Sequence, residues 1–261
     1  MSHLTIFQNN INGFYSKSQL LELNLHNEQP HVCLIQEGFR SKPKNTEHHF
    51  QYMYNNYWSE TGRTGIFCRR DLHSTQRLLN PFQNKFESFG YESCWVEISC
   101  PGETKPILFC SFYRNIQRTS IKYEDSIMEL DEKEHQIPSF DLTEFEKELR
   151  KAQEITKNII IGGDWNAHHP AWLDKNTDSI AEYVLDFIFN NNLHILNDYP
   201  FNCTFNKDGV SSCIDITLCS SSILNVFSNW RTDNLNLDVE SDHLPITFNI
   251  LANWSTSNIR R

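Results

Sequence analysis

The apolar positions of the chain fall into short runs, several of which stop at a polar residue next to glycine. The clearest is Ile159-Ile160-Ile161, followed by Gly162-Gly163-Asp164-Trp165-Asn166-Ala167-His168-His169-Pro170. An uninterrupted apolar run of this length fits a central strand covered on both faces, and the two glycines predict a turn that keeps the backbone close to whatever binds there. Taken alone, Gly, Asp and Asn are ordinary turn residues. Residues 4–10 also have strand character, followed by a loop at Asn10-Ile11-Asn12-Gly13 and a helix through Leu20, Leu21, Leu23 and Leu25 that Ser16 or Ser18 would cap. Residues 31–38 repeat the theme, ending in Glu37 and Gly38. This βαβ pattern delivers two polar residues to one end of a sheet.

Residues 64–68, 94–98 and 107–113 read as strands with few helix signals between them, which predicts antiparallel pairing in this half. Asp141 or Thr143 would cap a helix carrying Phe145, Leu149 and Ala152, with Glu144 and Glu146 in its first turn where the helix dipole favours them. A second helix spans 179–190 through Ile180, Val184, Leu185 and Ile188, and a short strand follows at 193–196. Residues 203–205 and 213–218 form an expected hairpin that turns at 206–209, and 246–250 is a final alternating strand. Both halves mix helices with strands that finish in polar residues. The expected fold is therefore α/β: a four-layered sandwich of two facing mixed sheets with helices outside, in one domain over 1–261. Glu124, Asp125, Glu129, Asp131, Glu132 and Glu134 lack periodicity and mark an acidic surface insertion at about 117–138.

Charge narrows the function. A formal net charge of -10 argues against a protein that coats nucleic acid nonspecifically, because phosphate binding rests on Lys and Arg releasing counterions. It leaves room for a nuclease whose acidic residues hold a metal. Lys42, Lys44, Arg63, Arg69, Arg70, Arg114 and Arg118 offer a local basic face, although each singly reads as a solvated charge. The eight cysteines (Cys33, Cys68, Cys94, Cys100, Cys110, Cys203, Cys213 and Cys219) lie mostly inside strand-like runs without a C-x-x-C pair. They read as reduced, buried thiols of an intracellular protein, with a disulfide-linked secreted enzyme as the alternative that an even count allows. No signal peptide opens the chain, and no apolar stretch approaches the roughly 20 residues that span a bilayer.

Asn10, Glu37, Tyr113, Asp164, Asn166, Asp215, Asp242 and His243 each sit at or just beyond the end of a strand-like run. Singly, Glu37 and Asp242 read as solvated loop carboxylates and Tyr113 as a strand-end aromatic. Asp215, between Ile214 and Ile216, would need a partner beneath a sheet. Asp164 and Asn166, two apart on one side of an extended chain, are placed to orient and deprotonate a water. His168 and His169 lack a third ligand at zinc spacing and read as loop residues alongside Trp172.

In order and spacing these positions resemble the endonuclease/exonuclease/phosphatase superfamily, from Asn10 to about Phe248. Residues 163–172, 212–218 and 241–246 are similar to the endonuclease domain of LINE-type, non-LTR retrotransposons. The resemblance implies a deoxyribonuclease I-like fold with Mg²⁺ as cofactor, Mn²⁺ substituting. Glu37 would be the chief metal ligand, helped by Asn10 and Asp242. Asp164 and Asn166 would activate water, and His243 would hydrogen-bond the scissile phosphate with Asp215 fixing its tautomer. Tyr113 would contact the phosphate as charge develops. Arg114, Asn115, Thr204, Ser241 and Lys207 are the substrate-binding candidates, Thr204 also supporting Asp215. The implied activity is nicking of double-stranded DNA to leave 3′-hydroxyl and 5′-phosphate ends, the 3′-hydroxyl priming a reverse transcriptase of the same polyprotein, in the nucleus and away from membranes. The loop 206–211 corresponds to the hairpin that helps choose the target.

The rivals are an apurinic repair endonuclease, a phosphatase of inositol phosphates or other small phosphoesters, and a catalytically dead binding module. The last is disfavoured because every expected catalytic position is filled. Three departures bear on substrate positioning: Arg114-Asn115-Ile116 lacks the prolines of many relatives, Trp165 stands where Phe is commoner, and the gap between Tyr113 and Asp164 is long.

Overall fold

Side chains alternate across a strand, so an apolar run with no polar face needs cover on both sides. A computed structural model describes residues 2–39, 52–80, 89–99, 105–116, 142–198, 202–232 and 235–252 and shows that cover. One sheet is built from β1 (Ser2–Asn10), β2 (Val32–Gln36), β3 (Tyr54–Trp58), β4 (Thr64–Arg69) and two later strands. The other begins with β5 (His73–Arg77), β6 (Tyr91–Ser99), β7 (Ile107–Arg114), β8 (Asn158–Asp164) and β9 (Leu193–Ile195). A separate hairpin pairs β10 (Phe205–Lys207) with β11 (Val210–Ser212). The remaining strands are β12 (Asp215–Ser220), β13 (Phe227–Arg231) and β14 (Ile246–Ala252). The two six-stranded sheets run β13-β14-β1-β2-β4-β3 and β5-β6-β7-β8-β12-β9.

Each sheet centres on one parallel pair, β1 with β2 and β7 with β8, flanked by antiparallel neighbours. Helix α1 (Phe14–Glu28) lies between the first pair in sequence and α2 (Thr143–Ile155) between the second, while α3 (Ser179–Asn190) follows β8. Alternation sorts the core into three apolar layers. Leu4, Ile6, Leu34, Phe109 and Ile160 pack between the sheets. Phe7, Cys33 and Ile35 pack outward with Leu21 and Leu25 of α1. Leu108, Cys110, Ile159 and Ile161 pack outward with Phe145, Leu149, Val184 and Ile188 of α2 and α3. This is the expected four-layered sandwich.

Polar groups also cross the inner layer and fix one sheet against the other. Gln36 Nε2 donates to Ser111 Oγ at 2.9 Å, which donates to Ile35 O at 2.8 Å, and Thr217 Oγ1 donates to Gln8 Oε1 at 3.0 Å. The ends of β1, β2, β7 and β8 are thereby brought level.

Several local expectations are corrected. Strand β8 does not turn at its glycines: Gly162 and Gly163 stay in the ladder with β7 and β12. They are small because their neighbours are close; a Cβ on Gly163 would lie 1.9 Å from Phe112 O, and one on Gly162 2.2 Å from Gln8 Oε1. Helix α1 starts at Phe14 behind Gly13, and the Ser16 hydroxyl donates back to Gly13 O instead of capping. Helix α2 starts at Thr143 after Leu142 without a side-chain cap; Asp141 lies outside the described residues. The expected hairpin of 203–205 with 213–218 is instead β10 with β11, turning at Asp208 and Gly209 with φ of 51° and 80°, while β12 leaves to join β8. The acidic insertion, Lys42, Lys44, Arg118 and Cys100 fall outside the described residues. The other seven cysteines are free thiols, and no helix among the described residues is long and apolar enough to cross a membrane.

Candidate active site

The eight singled-out residues gather where the strands end. Asn10 closes β1, Tyr113 lies near the end of β7, and Asp164 closes β8 directly opposite Asp215, which opens the antiparallel β12. Asn12, Glu37 and Asn166 follow β1, β2 and β8 by one or two residues, and all three hold left-handed backbone, with φ of 46°, 50° and 47°. Asn accepts that conformation readily, whereas Glu does so at a cost of about 1–3 kcal/mol that surrounding structure must hold. The reversals keep the chain at the sheet ends instead of letting it run out into solvent.

One amide ties the two sheets together at this end. Asn10 Nδ2 lies 2.9 Å from Asp164 Oδ2 and 3.0 Å from Glu37 Oε1. Asp164 also accepts Asn166 N at 3.0 Å on Oδ1 and Asn166 Nδ2 at 3.1 Å on Oδ2. Asn166 Nδ2 is in turn fixed by Arg114 O at 2.6 Å. The Arg114 guanidinium donates to Trp165 O at 2.7 Å and to Asn166 O. Arg114 is therefore no substrate-binding group: it is buried, pointing away from the site to buttress the Asp164–Asn166 turn, and burial lowers its pKa to about 10.

On the far side of Asp164, His243 Nδ1 lies 2.8 Å from Asp215 Oδ2. A carboxylate offers only acceptors, so Nδ1 carries the proton and Nε2 is left to the site. Thr204, also expected to bind substrate, is fully buried, and its Oγ1 accepts Ile214 N and Asp215 N, both at 3.2 Å. Its support of Asp215 is therefore direct, and its contact with substrate is withdrawn. Ser241 Oγ donates to Asn10 O at 2.7 Å and accepts His243 N at 3.2 Å, closing the loop before β14 onto β1. Asn115 is half-buried, its main-chain N donating to Gly90 O at 3.0 Å. Lys207 reaches from the β10–β11 hairpin to Asp242 Oδ2 at 3.0 Å, and Asn12 Nδ2 donates to both Asp242 oxygens.

Crowding sets the electrostatics. Burial, then the Asp215 and Glu37 carboxylates, push the Asp164 carboxyl up to about 7, against the pull of His243 and Asn10. Burial presses the His243 imidazolium down, but Asp215, followed by Asp164 and Asp242, outweighs it and lifts His243 to about 9. The Tyr113 phenol is pushed up by burial, Glu37 and Asp164, so it stays a hydrogen-bond donor. Asp242 is held below its ordinary value: burial opposes, and Lys207 and Asn12 prevail.

One ligand atom each from Asp164, Asp215 and His243 lies within 4.8 Å of the others, a set that could hold a metal ion. Asp215 Oδ1 is buried with no hydrogen-bond donor among the described residues. An orphan carboxylate oxygen in an acid-rich site fits a hard divalent cation. Glu37 and Asp242, the expected ligands, lie outside this set, Glu37 being joined to it through Asn10. The two loop histidines have other partners: His169 Nδ1 accepts Ala171 N at 3.0 Å, and His168 Nδ1 lies 3.2 Å from Asp174, whose Oδ2 accepts Cys213 N at 2.6 Å. Sequence reasoning missed Asn9, whose Nδ2 donates to His243 O at 3.0 Å, and Asn12. The doublet Asn9-Asn10 and the second asparagine of Asn10-Ile11-Asn12 were the available signals.

A family model described as endonuclease-reverse transcriptase matches residues 107–247. No curated protein matches the sequence. Among solved structures, the endonuclease domain of TRAS1, a telomere-specific non-LTR retrotransposon, aligns with a TM-score of 0.68 at 20% identity, covering 95% of this chain and 98% of that one. An AP endonuclease from Leishmania major gives 0.62 at 12% identity over 96% and 88% of the two chains. An AP endonuclease from Archaeoglobus fulgidus gives 0.61 at 14% over 95% and 100%. At such identities these likenesses establish the deoxyribonuclease I-like fold and nothing finer.

Proposed function

The chain belongs to the endonuclease-reverse transcriptase family, and from that premise we propose that this DNA endonuclease uses Mg²⁺ to nick one strand of a duplex, leaving a 3′-hydroxyl and a 5′-phosphate. The observation that carries the reading is the convergence of Asp164, Asp215 and His243 within 4.8 Å, tied to Glu37 by the Asn10 amide.

In this mechanism Asp164, whose proton affinity is matched to neutral pH, takes a proton from the attacking water while Asn166 holds the carboxylate in place. The water oxygen bonds to phosphorus, the bond to the 3′-oxygen breaks and that oxygen takes a proton from solvent to become the hydroxyl, and the phosphate stays on the 5′ end. His243, charged and oriented by Asp215, donates from Nε2 to a phosphate oxygen, and Tyr113 donates its phenol proton to the charge that builds there. Glu37, with Asn10 and Asp242 assisting, would hold the Mg²⁺, which when bound would neutralise developing charge on the phosphate oxygens. Mn²⁺ would substitute.

The TRAS1 likeness and the family's description support a polyprotein setting, in which the 3′-hydroxyl would prime a reverse transcriptase domain. Action on chromosomal DNA in the nucleus is part of the same proposal. The exposed β10–β11 hairpin, with Lys207 and Val210 flanking its turn, would probe the groove and bias the cut site. A second reading has one observation in its favour: Asp164, Asp215 and His243 are close enough to hold an ion of their own, and a metal titration that saturates at two equivalents would establish it. The reading is tested by incubating the protein with supercoiled plasmid, an abasic duplex and an inositol polyphosphate, with Mg²⁺ or with chelator. Mg²⁺-dependent nicking of intact plasmid is expected. Preference for the abasic duplex would transfer the assignment to repair, and turnover of the inositol phosphate alone would make it a phosphatase.

A further inference from the structure

The Mg²⁺ reading asks Asp242 to help hold a divalent cation, yet Asp242 is already paired with a cation of the chain itself. Lys207 Nζ lies 3.0 Å from Asp242 Oδ2. Asn12 Nδ2 donates to the same oxygen at 3.2 Å and to Oδ1 at 3.1 Å. Ser241 Oγ, whose proton goes to Asn10 O at 2.7 Å, stands 3.3 Å from Oδ1. A divalent cation on either oxygen of this carboxylate would come close to the Lys207 ammonium, and two like charges at such range compete for one negative charge.

The neighbours of Asp242 differ in how readily they can leave it. Asn12 is fixed: its own N donates to Asn10 Oδ1 at 3.0 Å, its backbone is left-handed with φ of 46°, and the next residue, Gly13, donates from N to Glu37 O at 2.9 Å. Ser241 is tied between Asn10 O and His243 N. The Lys207 side chain, by contrast, is 56% exposed and carries its ammonium on a flexible four-carbon stem, so it can let go without disturbing the fold. The root of its hairpin would stay behind. Asn206 N donates to Asp242 O at 2.8 Å, Leu244 N to Thr204 O at 2.7 Å, and Phe205 bridges His243 and sets its ring 5.0 Å from the imidazole. The freedom to move therefore belongs to one side chain and not to the hairpin.

We infer that Lys207 and the divalent cation exchange on Asp242: Lys207 yields its place as the cation binds, and its freed ammonium then contacts a backbone phosphate of the DNA. The inference rests on the Mg²⁺-dependent DNA endonuclease reading. Asp242 adjoins His243, which meets the scissile phosphate in that mechanism, so a displaced Lys207 stands beside the phosphates that flank the cut. The exchange never leaves the Asp242 charge without a partner. It also offers the hairpin's positive charge to DNA only once the cation is in place, which makes Lys207 a metal-dependent contributor to DNA affinity.

Two measurements test it. In the first, Mn²⁺ binding is followed through the electron paramagnetic resonance of the free ion, without DNA. Lys207→Met, which removes the competing charge at similar length, should tighten Mn²⁺ binding several-fold, and Lys207→Arg, which keeps the charge, should stay near wild type. Lys17 Nζ donates to Glu240 O, two residues from Asp242, so Lys17→Met matches the loss of charge without freeing Asp242 and should change the affinity by less than about twofold. An unchanged affinity in Lys207→Met, or equal tightening in Lys17→Met, overturns the exchange. In the second, a labelled duplex is bound by Asp164→Asn protein, which keeps it intact, in Mg²⁺ and in chelator. Adding Lys207→Met should weaken binding several-fold in Mg²⁺ and by less than about twofold in chelator. Equal losses in both overturn the exchange, and no loss in either overturns the phosphate contact. Mg²⁺-dependent nicking by wild type with unchanged Mn²⁺ affinity in Lys207→Met strikes the exchange alone. A wild-type protein that neither nicks plasmid nor binds duplex overturns the function and the phosphate contact together.

Discussion

Glu148 and Asp164 are both buried carboxylates, yet their surroundings differ in kind. Glu148, on α2, receives Tyr91 OH at 3.0 Å on one oxygen and Ser93 Oγ at 2.5 Å and Trp95 Nε1 at 2.8 Å on the other. Three neutral donors meet one carboxyl group, and the result ties α2 to β6. Asp164 receives donors too, but it faces Asp215 across the β8–β12 ladder and Glu37 across the Asn10 amide, and Asp215 Oδ1 has no donor among the described residues. A buried carboxylate met by enough donors serves the fold. Carboxylates pressed together, so that burial and its neighbours raise the proton affinity of Asp164, are held for a reaction.

The largest test of this contrast is Asp164→Asn. Nicking should fall by on the order of 10³-fold, since general-base removal typically costs that much. Stability should move the other way. Folding raises the Asp164 pKa from 3.8 to about 7, so between those values the folded state binds more protons than the unfolded one. Stability from this group therefore falls as pH rises through that window. Thermal melting in chelator should show Asp164→Asn more stable than wild type above about pH 7, with the gain gone below about pH 4. A variant destabilised equally at every pH would remove the contrast.

Glu148→Ala is the converse. It leaves three buried donors unpaired, so denaturant unfolding should lose on the order of 3 kcal/mol while the folded fraction keeps its kcat within about twofold. Loss of kcat at unchanged stability would place Glu148 in the reaction. Gly163→Ala should blur the two classes. Its Cβ meets the Phe112 carbonyl, which cannot rotate away, so β7 and β8 must part and carry Tyr113 from Asp164. A loss of about 1–3 kcal/mol should come with reduced nicking, and Gly162→Ala, which meets side chains, should do less of both. The smallest effect is on the pH–rate profile, which should rise through about 7 as Asp164 ionises and decline above about 9 as His243 loses its proton. Asp215→Asn should move the upper limb to lower pH; an unmoved limb would detach His243 from Asp215.

Much of this site was legible because strands are one-dimensional: an apolar run that ends in a carboxylate delivers it to a sheet end whatever the rest of the chain does. Glu37 and Asp164 were readable on that ground, and Asp215, which opens β12, because a carboxylate between Ile214 and Ile216 needs a partner. Arg114 was misread because it follows Tyr113 in a strand, and the residue after a site-facing one turns to the opposite face. Thr204 was misread because a short hydroxyl bonds its own neighbourhood before it reaches a ligand. Strands β3, β5 and β13 escaped notice, being half-buried with polar residues on the open face, as in Tyr54-Asn55-Asn56-Tyr57-Trp58. The role of the two glycines depended on Phe112 and Gln8, which lie far off in sequence and came close only on folding.

On the proposed function, the Asp164 cluster hydrolyses a phosphodiester and leaves a primer end. Supercoiled plasmid should be treated with wild type and Asp164→Asn in Mg²⁺, and each nicked product offered to a DNA polymerase with labelled nucleotides. The account predicts nicked circles from wild type alone, labelled without any prior end repair because the break carries a 3′-hydroxyl. Equal nicking by the two proteins, or wild-type nicks that take up label only after a phosphatase has treated the 3′ ends, would contradict it.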